Sequence, residues 1–342
     1  MPSLVEARSS NASFRPDYIP VAVFIGGTGG IAAEVAVLLA RYTNGGIHVI
    51  IAGRNRLDGV KVLESLAKPL AYRDEEANNT LGSDSQQLLR EFVFCDASSL
   101  RSVRTASENI HKLLRTQGQR INFLVFSAGY GNYFKSFDTM DGLDLQLMMR
   151  YYHRFKMAFE LMPLLRNARD NEQDAKFLSI LGSGIKWPVN PSDFGFKNLG
   201  VLGRMFKAFQ TGLASAVYMD IMIEEFASRE RGISFSHNWP GVVRTAQLDF
   251  AFRSYWLFTP FRPLFDLFVQ ATTVSAEESA EWTLFALLDA SAEGKGFYRR
   301  WNHGQELNAG DASSPERKSL REKLFMHSVL EMHAEELSIT SD

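Results

Sequence analysis

Residues 26–32 read Gly-Gly-Thr-Gly-Gly-Ile-Ala, four glycines in five positions followed by two small apolar residues. Glycine admits positive φ and lets the backbone approach an anion closely. A helix that starts there aims its free N–H groups at the same point. The turn follows a short apolar run, "YIPVAVFI", and precedes "IAAEVAVLLARY", which has helical spacing. A glycine-rich turn between a first strand and a first helix suits the cradling of a phosphate, so Gly26, Thr28, Gly29, Gly30 and Ile31 are candidate cofactor residues. A second apolar run, "IHVIIAG", ends in Arg54 and Asn55. An acid at this place would accept ribose hydroxyls, whereas an arginine pairs with a 2′-phosphate. Arg54 therefore points to NADP(H). The plainer alternatives are a ligand-free tight turn and a solvated arginine.

The elements that must position these residues alternate along the chain. Strands are expected at "EFVFCDA", "INFLVFSAG", "AKFLSILG", "ISFSHNWPG" and "GKGFYRRW". Helices are expected after the second and third strands, over 143–165, and from "MFKAFQTGLAS" to about 227. Nearly continuous apolar strands alternating with helices imply a parallel, doubly wound α/β sheet of about seven strands, covered on both faces. Residues 1–17 read as a flexible arm, 18–300 as a single domain, and 301–342 as an extension with a terminal helix. The polar stretch 72–87 reads as a surface insertion.

The chain has 342 residues, 45% hydrophobic and 22% charged, as a globular protein should. A formal net charge of −2 argues against nucleic acid or an anionic membrane as the main partner. A single cysteine, Cys95, rules out an intrachain disulfide and suits a reducing compartment. No secretory leader or spanning segment is legible, so a cytoplasmic protein is expected. The seven histidines show no metal-ligand spacing.

Taken together, these residues resemble the short-chain dehydrogenase/reductase superfamily. The first turn is similar to its TGxxxGxG motif, departing at the first and last positions. Cys95-Asp96-Ala97 resembles the aspartate after strand three that contacts adenine. Phe126-Ser127-Ala128-Gly129 resembles the NNAG motif with both asparagines lost. Pro240-Gly241-Val242-Val243-Arg244-Thr245 resembles the loop that cups the nicotinamide. The resemblance covers about residues 20–300. It implies a Rossmann-like fold with a dinucleotide held by Asp96, Ala97, Ser127, Ala128, Gly129, Pro240, Gly241, Val243 and Thr245 besides the glycine turn. "YYHRFKMAFELMPLL" and "FSHNWPGVVRT" further resemble a divergent branch met in fungal natural-product pathways.

The family's catalytic positions are another matter. Its Asn falls near Arg150, its Ser on Gly182 beside Ser183, and its Tyr and Lys near Ala208 and Gly212. Between 183 and 232 no tyrosine precedes a lysine by four residues, and Tyr218 lies too far along to serve. Losing a positioned acid costs typically 10²–10⁴-fold. Ser183, Lys207, His237, Tyr130 and Tyr133 are candidate substitutes. Ser183, Lys207 and His237 have structural alternatives: a turn serine, a solvated lysine and a hydrogen-bonded core histidine. Arg150 reads as a surface or interface residue, or as a partner for a substrate carboxylate. The open chemistries are carbonyl reduction with a substitute donor, hydride addition to a cationic iminium, a non-redox cyclisation or isomerisation, and a nucleotide-binding module without catalysis.

After Thr245 comes an aromatic-rich stretch, "AQLDFAFRSYWLFTPFRPLFDLFVQATT". A substrate lid at about 244–274 over a bulky hydrophobic small molecule is expected here. The alternatives are core packing, a homodimer contact or shallow membrane association. Ser275 and Glu278 have the spacing of a capping box ahead of "SAEESAEWTLFALL".

Overall fold

The computed structural model describes residues 1–69, 88–129, 137–244, 273–289, 296–307 and 314–337. The expected surface insertion, nearly all of the lid segment, Thr245, Tyr130 and Tyr133 lie outside them. The strands are β1 (Val21–Ile25), β2 (His48–Gly53), β3 (Arg90–Phe94), β4 (Phe123–Phe126), β5 (Lys176–Ile180), β6 (Ser234–Asn238), β7 (Phe297–Arg300) and β8 (Glu306–Leu307). The helices used below are α1 (Leu4–Ala12), α2 (Gly30–Tyr42), α3 (Arg56–Ser65), α4 (Leu100–Leu114), α5 (Leu145–Leu147), α6 (His153–Asp170), α7 (Val201–Met205), α8 (Lys207–Arg229), α9 (Ala276–Asp289) and α10 (Pro315–Met332).

The strands form one sheet in the order β3-β2-β1-β4-β5-β6-β7-β8, parallel through β7, with β8 antiparallel. The doubly wound α/β expectation holds. The two-residue β8 was not foreseen, because so short a strand leaves no periodicity to read. Alternation in β1 assigns its two faces. Val21, Val23 and Ile25 join the core under α4, α6 and α8, while Ala22 and Phe24 join the core under α2 and α9. Each fully buried side chain of this size stabilises the fold by about 1.5–3 kcal/mol. The strand order reverses between β1 and β4, where Ile25 lies beside Ala52 on one side and Phe126 on the other. At such a switch point the flanking turns part and leave a crevice beyond the strand ends.

One terminal expectation changes. Residues 4–12 are not a loose arm but α1, whose Ser3 and Glu6 form a reciprocal cap. The helix docks on α9, with buried Asn11 donating to the Glu281 carboxylate and carbonyl, both at 2.9 Å. Satisfying that buried carboxylate is what orders the arm. The terminal helix α10 packs on α6 and α8 through Leu324, Phe325, Ser328 and Met332. The Ser275–Glu278 capping box forms as expected.

Candidate dinucleotide and substrate site

The glycine turn closes directly against β4. Gly26 has φ +90°, and a Cβ there would lie 2.3 Å from the Ala128 backbone nitrogen, so only glycine fits. The N–H groups of Ser127 and Ala128 both donate to the Ile25 carbonyl, at 2.8 and 3.0 Å. Gly30 also has positive φ. Gly29, in extended backbone, caps α2 with no side chain, and a Cβ placed on it meets nothing within 4 Å. The first-turn N–H groups of α2, from Gly30 and Ile31 onward, thus lack intrahelical acceptors beside open space. Thr28 packs its methyl group over Gly53.

Arg54 stands exposed at the end of β2. Asn55 is exposed too, but its side chain is engaged as the cap of α3, accepting from Asp58 N–H at 3.3 Å. Asp96 follows β3 half-buried, its Oδ1 accepting from the Ser98 N–H and Oγ at 3.0 and 2.8 Å. Ala97 is buried behind it. Gly241 has φ +78° and faces Asn302; Val243 pairs with Val274 in an isolated bridge. Pro240 and these two residues lie just beyond β6, at the same sheet edge as the glycine turn. These positions fit a dinucleotide: an uncapped helix start, room above Gly29, and a cation at the end of β2.

Beyond β5 the site is built from buried side chains. Ser183 sits between Gly182 and Gly184, is fully buried, and its Oγ has no hydrogen-bond partner among the described residues. An unpaired hydroxyl away from water costs about 1–3 kcal/mol, which a ligand oxygen would offset. The turn that carries it is held on both sides. Gly182 N–H donates to His237 Nε2 at 3.2 Å, and Gly184 N–H to Asp220 Oδ2 at 3.2 Å. His237 Nδ1 and Asp220 Oδ1 are 2.7 Å apart. Arg299 forms an ion pair with Asp220 at 3.0 Å. Each ring nitrogen of His237 therefore has a fixed role, and burial pushes its pKa below the ordinary histidine value despite Asp220. His237, a candidate acid by sequence, is hydrogen-bonded at both ring nitrogens and braces the Ser183 turn. Asp220, which the sequence reading passed over, completes that clamp.

Lys207 is also otherwise engaged. At the start of α8 its Nζ pairs with Asp138 at 3.1 Å and with the buried Asp144 at 3.5 Å. These pairs tie the helix to the 138–144 segment. Ala208 and Gly212, where the family's tyrosine and lysine fall, are buried in α8. Tyr218 packs, its hydroxyl donating to the Phe194 carbonyl at 3.2 Å.

Between α5 and α6 the chain forms a π-helical turn, Met148–Tyr152. His153 stabilises it. Its Nδ1 lies 2.9 Å from the Met148 carbonyl, and burial lowers its pKa to about 3. Such bulges recur at functional sites. Here the bulge carries Arg150, which is buried rather than on the surface and donates from Nε to Ser215 on α8 at 3.0 Å. One turn further, Arg154 is fully buried. It donates to Ser179 Oγ (2.5 Å), the Ile180 carbonyl (3.1 Å) and the Ala128 carbonyl (2.7 Å). It thus ties the ends of β4 and β5 together. Burial, with Arg150 nearby, lowers its guanidinium to about 9, still cationic at neutral pH. Helix α10 braces the turn from behind, with Tyr151 OH 2.8 Å from Ser328 Oγ and Tyr152 OH 2.8 Å from His327 Nε2. The signals for these residues were lone charges in apolar helices: Asp220 within "VYMDIMI", and Arg154 four residues after Arg150.

No protein-family model matches the chain. Among curated proteins, the chain is 29% identical over 298 residues to the oxidoreductase andH of Emericella variicolor, covering 85% of this chain and 76% of that protein. It is 28% identical over 294 residues to the oxidoreductase AN1596 of Emericella nidulans, covering 85% and 78%. Among solved structures, an actinorhodin polyketide ketoreductase with NADPH superposes at a TM-score of 0.53 and 16% identity, over 85% of this chain and all of that one. A 3-ketoacyl-(acyl-carrier-protein) reductase of Brucella melitensis with NADH gives 0.52 and 17%, over 82% and 96%. The fold is the Rossmann-like one that these reductases share.

Proposed function

We propose that the protein is an NADP(H)-dependent oxidoreductase of the short-chain dehydrogenase/reductase kind, acting on a bulky hydrophobic small molecule. The observation that carries this reading is the switch-point crevice. Gly26 closes on Ala128, α2 starts uncapped, and Ser183 presents a buried, unpartnered hydroxyl from the next strand but one. Two oxidoreductase relatives and two structurally similar reductases, one with NADPH and one with NADH, support it.

In this reading the α2 N-terminus holds the pyrophosphate, Arg54 pairs with the 2′-phosphate, and Asp96 and Ala97 border the adenine. Ser127 to Gly129 and the loop from Pro240 to Val243 flank the nicotinamide. The bound dinucleotide supplies hydride. Ser183 donates a hydrogen bond to the oxygen of the acceptor, held in place by His237 and Asp220. Two buried guanidiniums, Arg150 and Arg154, raise the local potential. That disfavours a cationic iminium acceptor and favours a carbonyl whose oxygen gains negative charge. With His237 and Lys207 both engaged, the oxygen takes its proton from water.

Deuteride-labelled NADPH offered with a panel of bulky hydrophobic ketones tests the reading. Deuterium should appear at the carbinol carbon, and Ser183→Ala should lower kcat by about 10²-fold, as for other lost oxyanion donors. Product formed without deuterium would mean a non-redox reaction and overturn the proposal.

A further inference from the structure

Five large apolar side chains crowd one outer face where α7 leads into α8. Val201, Leu202, Met205, Phe206 and Phe209 are 81, 73, 71, 59 and 48% exposed. Val201, Leu202 and Met205 have the i, i+1, i+4 spacing of one side of α7, and Phe206, at the junction, and Phe209 carry the exposed apolar run into α8. Patches of this kind on a soluble protein mark contact surfaces. The run borders the substrate site. Phe209 meets Trp187 edge-to-face at 6.0 Å, four residues beyond Ser183, and α8 runs on from Phe209 to Ser215, the partner of Arg150.

Basic side chains outnumber acids in the segment that carries this face. From Phe194 to Met219 the chain has Lys197, Arg204 and Lys207 and no acid, and exposed Lys186 adjoins Trp187. Lys197 is paired with Glu331, and Lys207 with Asp138 and Asp144. Among the described residues, Arg204 and Lys186 have no carboxylate partner. The whole-chain balance of −2 hides this local asymmetry.

We propose that this face docks on an anionic lipid surface, with Met205, Phe206 and Phe209 entering the headgroup–acyl boundary and Arg204 and Lys186 facing lipid phosphates. A half-buried tryptophan beside apolar and basic side chains is the composition an interfacial contact needs. A second copy of the chain suits the face less well. A two-fold contact would set the same unpaired cations against each other, whereas an anionic surface complements them. Docking there would bring a membrane-dissolved hydrophobic substrate to the mouth of the site.

Flotation of the full-length protein with phosphatidylcholine vesicles, with and without phosphatidylserine, tests this. The protein should float with the anionic vesicles, and much less with phosphatidylcholine alone. The double substitution Met205→Ser, Phe206→Ser should reduce the bound fraction about tenfold. Arg204→Glu should weaken binding by at least about fivefold, and salt should mimic it. Leu57→Ser, an exposed leucine on α3, should bind like the parent, and circular dichroism checks that every variant is folded. Absence of flotation, equal binding to both vesicle types, or an equal loss with Leu57→Ser would overturn the proposal. So would a dimer in size-exclusion chromatography that the Met205, Phe206 double substitution dissociates, which would identify a second copy as the occupant.

Discussion

The two sides of the switch point are built from different materials. Around β1 and β2 the candidate site is backbone: a glycine that nothing larger could replace, an uncapped helix start, and one exposed arginine. Around β5 and β6 it is a buried polar assembly of side chains, in which Arg154, Asp220 and His237 each hold carbonyls or N–H groups of the strand ends. The stability of the first kind rests on its glycines. The second is vulnerable at every member, because each group removed leaves partners unsatisfied in a low dielectric.

Substitutions can break this contrast. Gly26→Ala should do the most damage. Its methyl would strike the Ala128 backbone at a φ of +90°, costing ~3 kcal/mol or more in chemical denaturation and abolishing NADPH binding. Arg154→Met should follow, at about 2–3 kcal/mol, since Ser179, Ile180 and Ala128 lose their buried donor together. If Arg154→Met is instead neutral, the buried arginine is not what holds β4 to β5.

Asp220→Asn separates binding from turnover. NADPH affinity should stay within about twofold, while kcat falls about tenfold, the equivalent of ~1.4 kcal/mol of lost positioning. A matching loss of NADPH affinity would show that the two sides are not separable. Acid stability is sensitive to a single residue on the substrate side. His153 is buried and neutral with a pKa of about 3, against an ordinary ~6.5. The unfolded chain therefore takes up a proton that the native state refuses. Its contribution is complete above about pH 6.5 and is lost as pH falls toward 3, by up to ~1.4 kcal/mol per unit. His153→Gln keeps a donor for Met148 and should flatten the decline in urea midpoint between about pH 7 and pH 5.

The same contrast explains what the sequence disclosed. Glycines at a strand–helix junction are consecutive residues, so the turn, Arg54 and the doubly wound sheet could be read directly. The substrate side depends on contacts between distant residues: Arg150 with Ser215, Arg154 with Ser179, His237 with Asp220. No local pattern encodes those pairings. His237 and Lys207 were candidates by type and place, and only their partners showed both to be engaged. The N-terminal helix was missed for a related reason: its polar composition hides that Asn11 and Arg8 answer a carboxylate some 270 residues away.

Isothermal titration of NADPH and NADH into the protein and into Arg54→Glu tests most directly whether the backbone-built side still holds a 2′-phosphorylated dinucleotide. NADPH should bind the parent at least about tenfold more tightly than NADH, and Arg54→Glu should remove that preference by weakening NADPH alone. No affinity for either nucleotide, or equal losses for both in the variant, would contradict it.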